Sequence, residues 1–356
     1  MAQFISFQPS NYFNTLTYSG TGGNGTTTSQ AITGAGFQPD WVWLKQRSGT
    51  QRYQLCDVIR GANNIIDTSQ TNAQVADSDI INSFDSDGFT AGYQDQANDT
   101  GNTYVSWLWK AGGAASSNSN GSITSSVSAS ATSGFSIVQY TGTGANATVG
   151  HGLSTPPRFI IIKQTSGSAN DFGIYYNPVE HLNGQQGRAM AFNSDGFSTS
   201  TSFWNNTITT NQVFYLGDSG RANQSGETYI AYCFSDVIGY QKFNGWYANA
   251  NSNGPFIYTG FKPRYFIMFN INNSGRWMIA DSKRNLSNEI DKKLQPHNNN
   301  AEATTSDIAC DFLANGIKIK GGSTSDINHT VNNMMYGLAI AEEPLVSSNE
   351  IPATAR

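Results

Sequence analysis

The chain writes one pattern three times, and serial copies of a module constrain a fold more than any single motif does. Gly36-Phe37-Gln38-Pro39-Asp40-Trp41-Val42-Trp43-Leu44-Lys45 returns loosely between Gly152 and Lys163, with Pro157, Arg158, Phe159, Ile160 and Ile162. It returns again as Gly260-Phe261-Lys262-Pro263-Arg264-Tyr265-Phe266-Ile267-Met268-Phe269. Each copy reads as a turn entering a strand. A second echo follows each: Ser83-Phe84-Asp85-Ser86-Asp87-Gly88-Phe89, then Ala191-Phe192-Asn193-Ser194-Asp195-Gly196-Phe197, then Asp311-Phe312-Leu313-Ala314-Asn315-Gly316-Ile317. An aromatic-rich strand closes each unit, at Thr103 to Lys110, Thr228 to Phe234 and Met335 to Ile340.

A length of 356 residues suits three such units, since a domain usually holds ~100 to 150 residues. Helical periodicity is confined to Asn288 to Leu294. Aromatic and β-branched runs bounded by Gly, Asn and Asp turns predict strands throughout. The predicted fold class is therefore all-β, as tandem antiparallel β-sandwiches in three repeats. The expected organisation is a module over 1–113, a Gly/Ser/Ala-rich linker over 114–133, modules over 134–243 and 244–343, and an extended C-terminal arm over 344–356. In Trp41-Val42-Trp43-Leu44, alternation places both tryptophans on one face, which is expected to meet a neighbour.

Charged residues make up only 13%, and the net charge of −5 comes without a Lys/Arg cluster. That excludes the electrostatic footprint of a nucleic-acid binder. No apolar run approaches the ~20 residues of a membrane-spanning helix, and Met1 to Phe7 lacks the form of a signal peptide. Synthesis in a cytoplasm without secretion or membrane insertion is the expectation. Cys56, Cys233 and Cys310 fall one per module inside apolar segments and are expected to be buried thiols rather than disulfides.

The Gly-Phe-x-Pro-x-aromatic strand, the Ser-Asp-Gly-Phe turn and the Thr-Tyr-x-x-aromatic closing strand together resemble the repeated concanavalin-like, lectin-like modules of virion structural proteins of tailed bacteriophages, marine ones especially. The resemblance extends to Tyr258-Thr259-Gly260-Phe261-Lys262-Pro263, Asp281-Ser282-Lys283-Arg284-Asn285 and Ile351-Pro352-Ala353-Thr354-Ala355-Arg356. It implies a homo-oligomer in contact with other virion proteins. The leading reading is a tail-associated or fibre protein presenting lectin-like modules to a host-surface glycan; the alternative is a capsid decoration protein with a mainly structural role. The second unit departs from the pattern: it lacks the Asp-x-x-Arg present at Asp57 to Arg60 and Asp281 to Arg284.

For sugar recognition the residue types to seek are aromatic platforms beside amides. Trp204 with Asn205, Tyr175 with Tyr176, and Trp246 with Tyr247 are the candidates; packing at module borders or sandwich ends is the competing reading for each. The acidic residues single out no glycosidase pair. His151, His181, His297 and His329 lack metal-ligand spacing and read as surface or loop residues. Asp85-Ser86-Asp87-Gly88 and Asn193-Ser194-Asp195-Gly196 open like calcium loops but lack the closing Glu, so tight hairpin turns are expected there. No catalytic residue, metal ligand or cofactor is nominated, and the chain is not expected to be an enzyme.

Overall fold

The computed structural model describes residues 5–23, 27–168, 170–177, 202–271, 277–323 and 325–345, with the backbone of 189–190 and 197–198. Strands dominate, and the main sheets fall into three successive groups of two, with a further two-stranded ladder, Lys292–Lys293 with Ala303–Thr304, in the third. In the first group a six-stranded sheet runs Phe13–Ser19, Thr103–Trp109, Trp41–Gln46, Gln54–Asp57, Gly61–Asp67, Val75–Ala76 in spatial order. Its partner sheet is Gln30–Thr33, Gly88–Ala91, Ile81–Asp85. In the second, the large sheet contains Phe135–Thr141, Thr228–Ser235, Pro157–Gln164 and Gly173–Tyr176, and the small one pairs Ala147–Gly150 with Val213–Leu216. In the third, Gln241–Tyr247, Met334–Pro344, Phe261–Asn270 and Trp277–Asp281 face Phe256–Tyr258, Gly316–Ile319 and Cys310–Leu313.

Successive side chains of a strand point to opposite faces, so each large sheet has two apolar sides. Val42 and Leu44 pack with Ile32 and Phe89 between the sheets of the first group. Ile160 and Ile162 do the same with Val149 and Phe214 in the second. The residues between them point the other way. Trp41, Trp43, Phe159 and Ile161 join Tyr265, Ile267 and Phe269 in one core shared by all three groups. The neighbour expected for the tryptophan face is thus the rest of the same chain.

The contacts at this shared centre are cyclic. Trp41 stacks on Phe135 at 5.6 Å, Phe159 on Phe243 at 5.6 Å, and Tyr265 packs on Phe13 at 5.3 Å. Each of the three starts from the same place in its sheet, opposite Trp109, Phe234 and Ile340 of the respective closing strand. Each ends on the first strand of the large-sheet core of the next group. Trp41 also stacks on Tyr232 of the second group at 4.6 Å.

Several expectations need correction. The 114–133 segment is not a linker: Ser116–Asn118 and Ser125–Ser130 are strands that extend the second large sheet, with Val127 opposite Val138. A ladder is made by backbone groups, so small side chains do not prevent it. The boundary between 243 and 244 falls inside the strand Gln241–Tyr247 and moves to the turn at 236–240. The helix expected over Asn288 to Leu294 is absent. Its two apolar residues serve separate bridges instead, Ile290 to Cys310 and Leu294 to Ile279. At the N-terminal end Phe7 packs edge-on against Tyr12 and Tyr240. The Ala191 to Gly196 echo and residues 346–356 lie outside the described residues.

Cys56, Cys233 and Cys310 are buried, one in each group, and burial pushes all three thiols up. They therefore report the opening of each group separately. If the shared core makes the groups one cooperative unit, thiol labelling under native conditions is expected to proceed at one common rate at all three. Trp41→Ala, which costs about 3 to 5 kcal/mol as a truncated buried aromatic, should speed all three equally. Acceleration at Cys56 alone, read by mass spectrometry of labelled peptides, would show independent groups.

Candidate functional site

The best-built polar constellations lie at the borders between groups. Asp57 ends the strand Gln54–Asp57, and its Oδ1 accepts from the Ile59 and Arg60 backbone N–H groups at 3.0 Å. This Asx turn folds Arg60 back so that Nε donates to Asp57 Oδ2 at 2.6 Å. The same oxygen accepts the Tyr232 hydroxyl of the second group at 2.7 Å. Arg60 Nη1 donates to Asn64 O at 2.7 Å and Nη2 to the Tyr232 oxygen at 3.2 Å. Both charged side chains are sealed from solvent.

The third group repeats the device. Asp281 Oδ1 accepts from the Lys283 and Arg284 N–H groups at 3.1 and 2.9 Å, and Oδ2 accepts from Arg284 Nε at 2.6 Å. Its partner across the border is Trp107 of the first group, whose Nε1 donates to Asp281 Oδ2 at 3.1 Å. Arg284 continues to Glu302 at 3.2 Å, and Glu302 takes both Nε and Nη2 of Arg47 at 3.0 and 2.8 Å. Burial opposes the charge on Arg60 and Arg284, but Asp57 and Asp281 more than restore it, and both guanidiniums are held above their ordinary value. Burial alone would raise the Glu302 carboxyl, yet Arg47 and Arg284 together hold it below the usual range.

In the second group the corresponding strand end is Tyr176, opposite Phe159 as Asp57 is opposite Trp41 and Asp281 opposite Tyr265. No ion pair can form there. Tyr176 packs instead on Tyr336 at 5.0 Å and Phe269 at 5.7 Å, both of the third group. The three borders therefore comprise two polar clasps and one aromatic one. The clasps leave no open coordination or substrate position, because each carboxylate is filled by protein donors. They join groups.

The glycan candidates fare poorly. Trp204 is 1% exposed, inside the second sandwich against Tyr175 and Phe203 at 5.4 and 5.2 Å. Tyr175 is buried beside it, and its hydroxyl accepts the Thr209 N–H at 3.1 Å. Tyr176 is committed to the border, and Trp246 is buried against Phe266 at 5.6 Å. Only Asn205 and Tyr247 are exposed, and they belong to different groups. Asn205 and Asn206 have positive φ of 49° and 48°, a conformation Asn tolerates better than most residues. Their presence beside Trp204 serves a tight turn.

Asp85-Ser86-Asp87-Gly88 is the hairpin expected. Asp87 accepts from the Gly34 and Gly36 N–H groups at 3.0 and 2.6 Å, and Asp85 from the Ser83 and Thr90 hydroxyls. Gly88 has φ 147°, and a Cβ there would sit 1.9 Å from Ile32 O, so no other residue fits. The companion loop Asn193 to Gly196 and His181 lie outside the described residues. His151 is not at the surface: Nδ1 accepts from Leu153 N–H and Nε2 donates to Thr210 O at 3.0 Å, while burial pushes it down to about 4. What sequence reasoning missed were the far-side partners Tyr232, Trp107 and Glu302. The doubled Asp-x-x-Arg was the available signal for them.

Removing one partner of a buried ion pair strands the other. Asp57→Ala and Asp281→Ala are each expected to cost about 3 to 5 kcal/mol in urea unfolding, and the paired replacement Asp57→Leu with Arg60→Met to recover most of it. A carboxyl depressed on folding stabilises fully above its unfolded value, about 4.3, and loses that contribution as the pH falls through the folded value. The stability gap between wild type and Glu302→Gln should thus be full at pH 6 and close on acidification. A gap constant down to about pH 3 would contradict the network.

No curated protein and no solved structure matches the chain. A family model described as a domain of unknown function, DUF7483, matches residues 8–344 as one continuous span. That span takes in all three sheet groups together with the borders between them, and the chain belongs to the DUF7483 family.

Proposed function

We propose that the chain is a virion structural protein of a tailed bacteriophage, made of three copies of one concanavalin-like module and mainly structural in role. The supporting observation is where its aromatic residues go. Almost all are committed to sandwich interiors and to the shared centre. Among the described residues three aromatic side chains are exposed: Tyr247, Phe256 and Tyr258, at 48, 45 and 53%. All three lie on Gln241–Tyr247 and Phe256–Tyr258, the edge strands of the two sheets of the third group. Lys242 ties the two edges together, donating to Tyr258 O at 3.1 Å and lying over the Tyr258 ring.

An open strand edge lined with aromatic side chains is a docking surface for a neighbouring protein. A chain with two adjoining edges of this kind suits a component held in a particle by its neighbours. Host attachment through the six residues named from sequence loses four of them, Trp204, Tyr175, Tyr176 and Trp246, to burial.

The test is electron cryomicroscopy of the intact particle with wild-type chain and with Phe256→Glu and Tyr258→Glu together. Density for the chain is expected on the particle, at the capsid surface or at the tail, and the double variant is expected to be incorporated about tenfold less, a loss of ~1.4 kcal/mol at the contact. Its unfolding midpoint should not change. Absence of the wild-type chain from purified particles would overturn the proposal.

A further inference from the structure

One lateral side of each sandwich brings together the leading strand of the large sheet and the first strand of the small one. In the second group the chain closes that side itself. Ser125–Ser130 pairs with Phe135–Thr141 of the large sheet, with Ser126 opposite Gln139. Just before, the same segment meets the small sheet: Ile123 N–H donates to Thr148 O at 3.0 Å, and Thr148 N–H donates to Ser122 Oγ at 2.8 Å. Ser122 to Ser126 therefore fill both edges.

The third group has the same two positions. Gln139 lies opposite Ile230 and Gly245 opposite Tyr336, each four residues before the closing-strand residue that faces Phe159 or Tyr265. Thr148 and Phe256 each stand four residues before a glycine of positive φ, Gly152 at 72° and Gly260 at 81°. Ala341 N–H donates to Tyr240 O and Ala248 N–H to Asn333 O, so even-numbered residues bond inward along this strand and Gly245 turns its N–H and C=O outward. In the small sheet Ile319 N–H donates to Pro255 O and Thr259 N–H to Asn315 O, so Phe256 turns outward as well. No hydrogen bond from a described residue reaches the backbone of either. An edge that stays in water is blunted with polar side chains, and the first group follows that rule with exposed Thr17, Ser19 and Thr33. The third exposes Tyr247, Phe256 and Tyr258 instead.

We propose that a neighbouring protein closes this side of the third sandwich by strand addition, using an extended segment of small hydroxyl and aliphatic residues like Ser122-Ile123-Thr124-Ser125-Ser126. Its backbone fills Phe256 and Gly245 in turn, as that segment fills Thr148 and Gln139. Its side chains lie beside the rings of Phe256 and Tyr258 as cross-strand neighbours. A second copy of this chain has its own such segment committed to its second sandwich, so the donor is a different protein. Strand addition rests on the docking role proposed for these edges and specifies the kind of partner.

The experiment compares hydrogen exchange in purified particles and in the free full chain, by mass spectrometry of the peptides that contain Gly245 and Phe256. Both amides are expected to exchange readily in the free chain and about tenfold or more slowly in the particle. Two variants separate ring from backbone. Phe256→Ala and Phe256→Pro both lose the ring, but only proline loses the outward N–H, a loss that an edge strand tolerates. Phe256→Pro is expected in particles about tenfold less than Phe256→Ala. The exchange measurement needs no variant and stands even if Phe256→Pro does not fold. Strand addition is overturned if the amides stay unprotected in wild-type particles or if both variants are incorporated equally. It is also overturned if protection appears in the free chain as its concentration rises, which would identify a second copy as the occupant. None of these outcomes touches the virion role, which fails only if the wild-type chain is absent from particles.

Discussion

One ring on the back of each large sheet packs onto the leading core strand of the next group, and the architecture above the level of a single sandwich depends on that contact. A buried aromatic removes about 150 to 250 Å² from water, worth ~4 to 6 kcal/mol at 25 cal/mol/Å². Part is lost to unmet polar groups. The Trp41 and Trp109 indole N–H groups and the Tyr265 hydroxyl are buried without a hydrogen-bond partner among the described residues, a cost of about 1 to 3 kcal/mol each. The balance remains favourable because each ring touches several others: Trp41 alone meets Trp109, Phe135, Tyr232 and Phe234.

The ionic clasps have a different physical role. A buried ion pair returns about what its desolvation costs, so Asp57–Arg60 and Asp281–Arg284 add little net stability over an apolar contact of equal volume. What they do add is intolerance of misalignment, since a carboxylate sealed from solvent must find its partner. The border between the second and third groups closes with Tyr176 against Tyr336 and Phe269, and among the described residues its ion pair, Arg158 with Asp236 at 2.7 Å, is partly open to solvent rather than sealed. Closure therefore belongs to the rings, and two of three borders carry a charge-based check on register.

How far this was legible in the sequence depends on whether the signal was local. The period-two alternation of Trp41-Val42-Trp43-Leu44 announced a sheet with two apolar faces, and it could be read because strand geometry is a local property. The burial of Trp204 could not. Its polar neighbours Asn205 and Asn206 look like sugar-binding amides in sequence, and only the backbone reveals them as turn formers. The segment 114–133 misled for the opposite reason: a small-residue composition suits a linker, yet backbone pairing asks nothing of side chains once an open edge is at hand. The doubled Asp-x-x-Arg stood out, but its partners Tyr232 and Trp107 lie more than a hundred residues away, and no spacing rule reaches that far.

The central position of Met334–Pro344 in the third sheet sets a timetable for biosynthesis. This strand bridges Gln241–Tyr247 and Phe261–Asn270, so the third sheet cannot form around a gap where it belongs. Until it leaves the ribosome the back faces carrying Trp41, Trp43 and Phe159 have no complete partner. Between the first closing strand and this last one lie roughly two hundred residues, or ~10 to 40 s of translation at ~5 to 20 residues per second. A nascent chain thus carries a tryptophan-rich surface for tens of seconds, which makes it a client for chaperones and makes high local concentrations on crowded polysomes a hazard for intermolecular exchange of whole sheet groups.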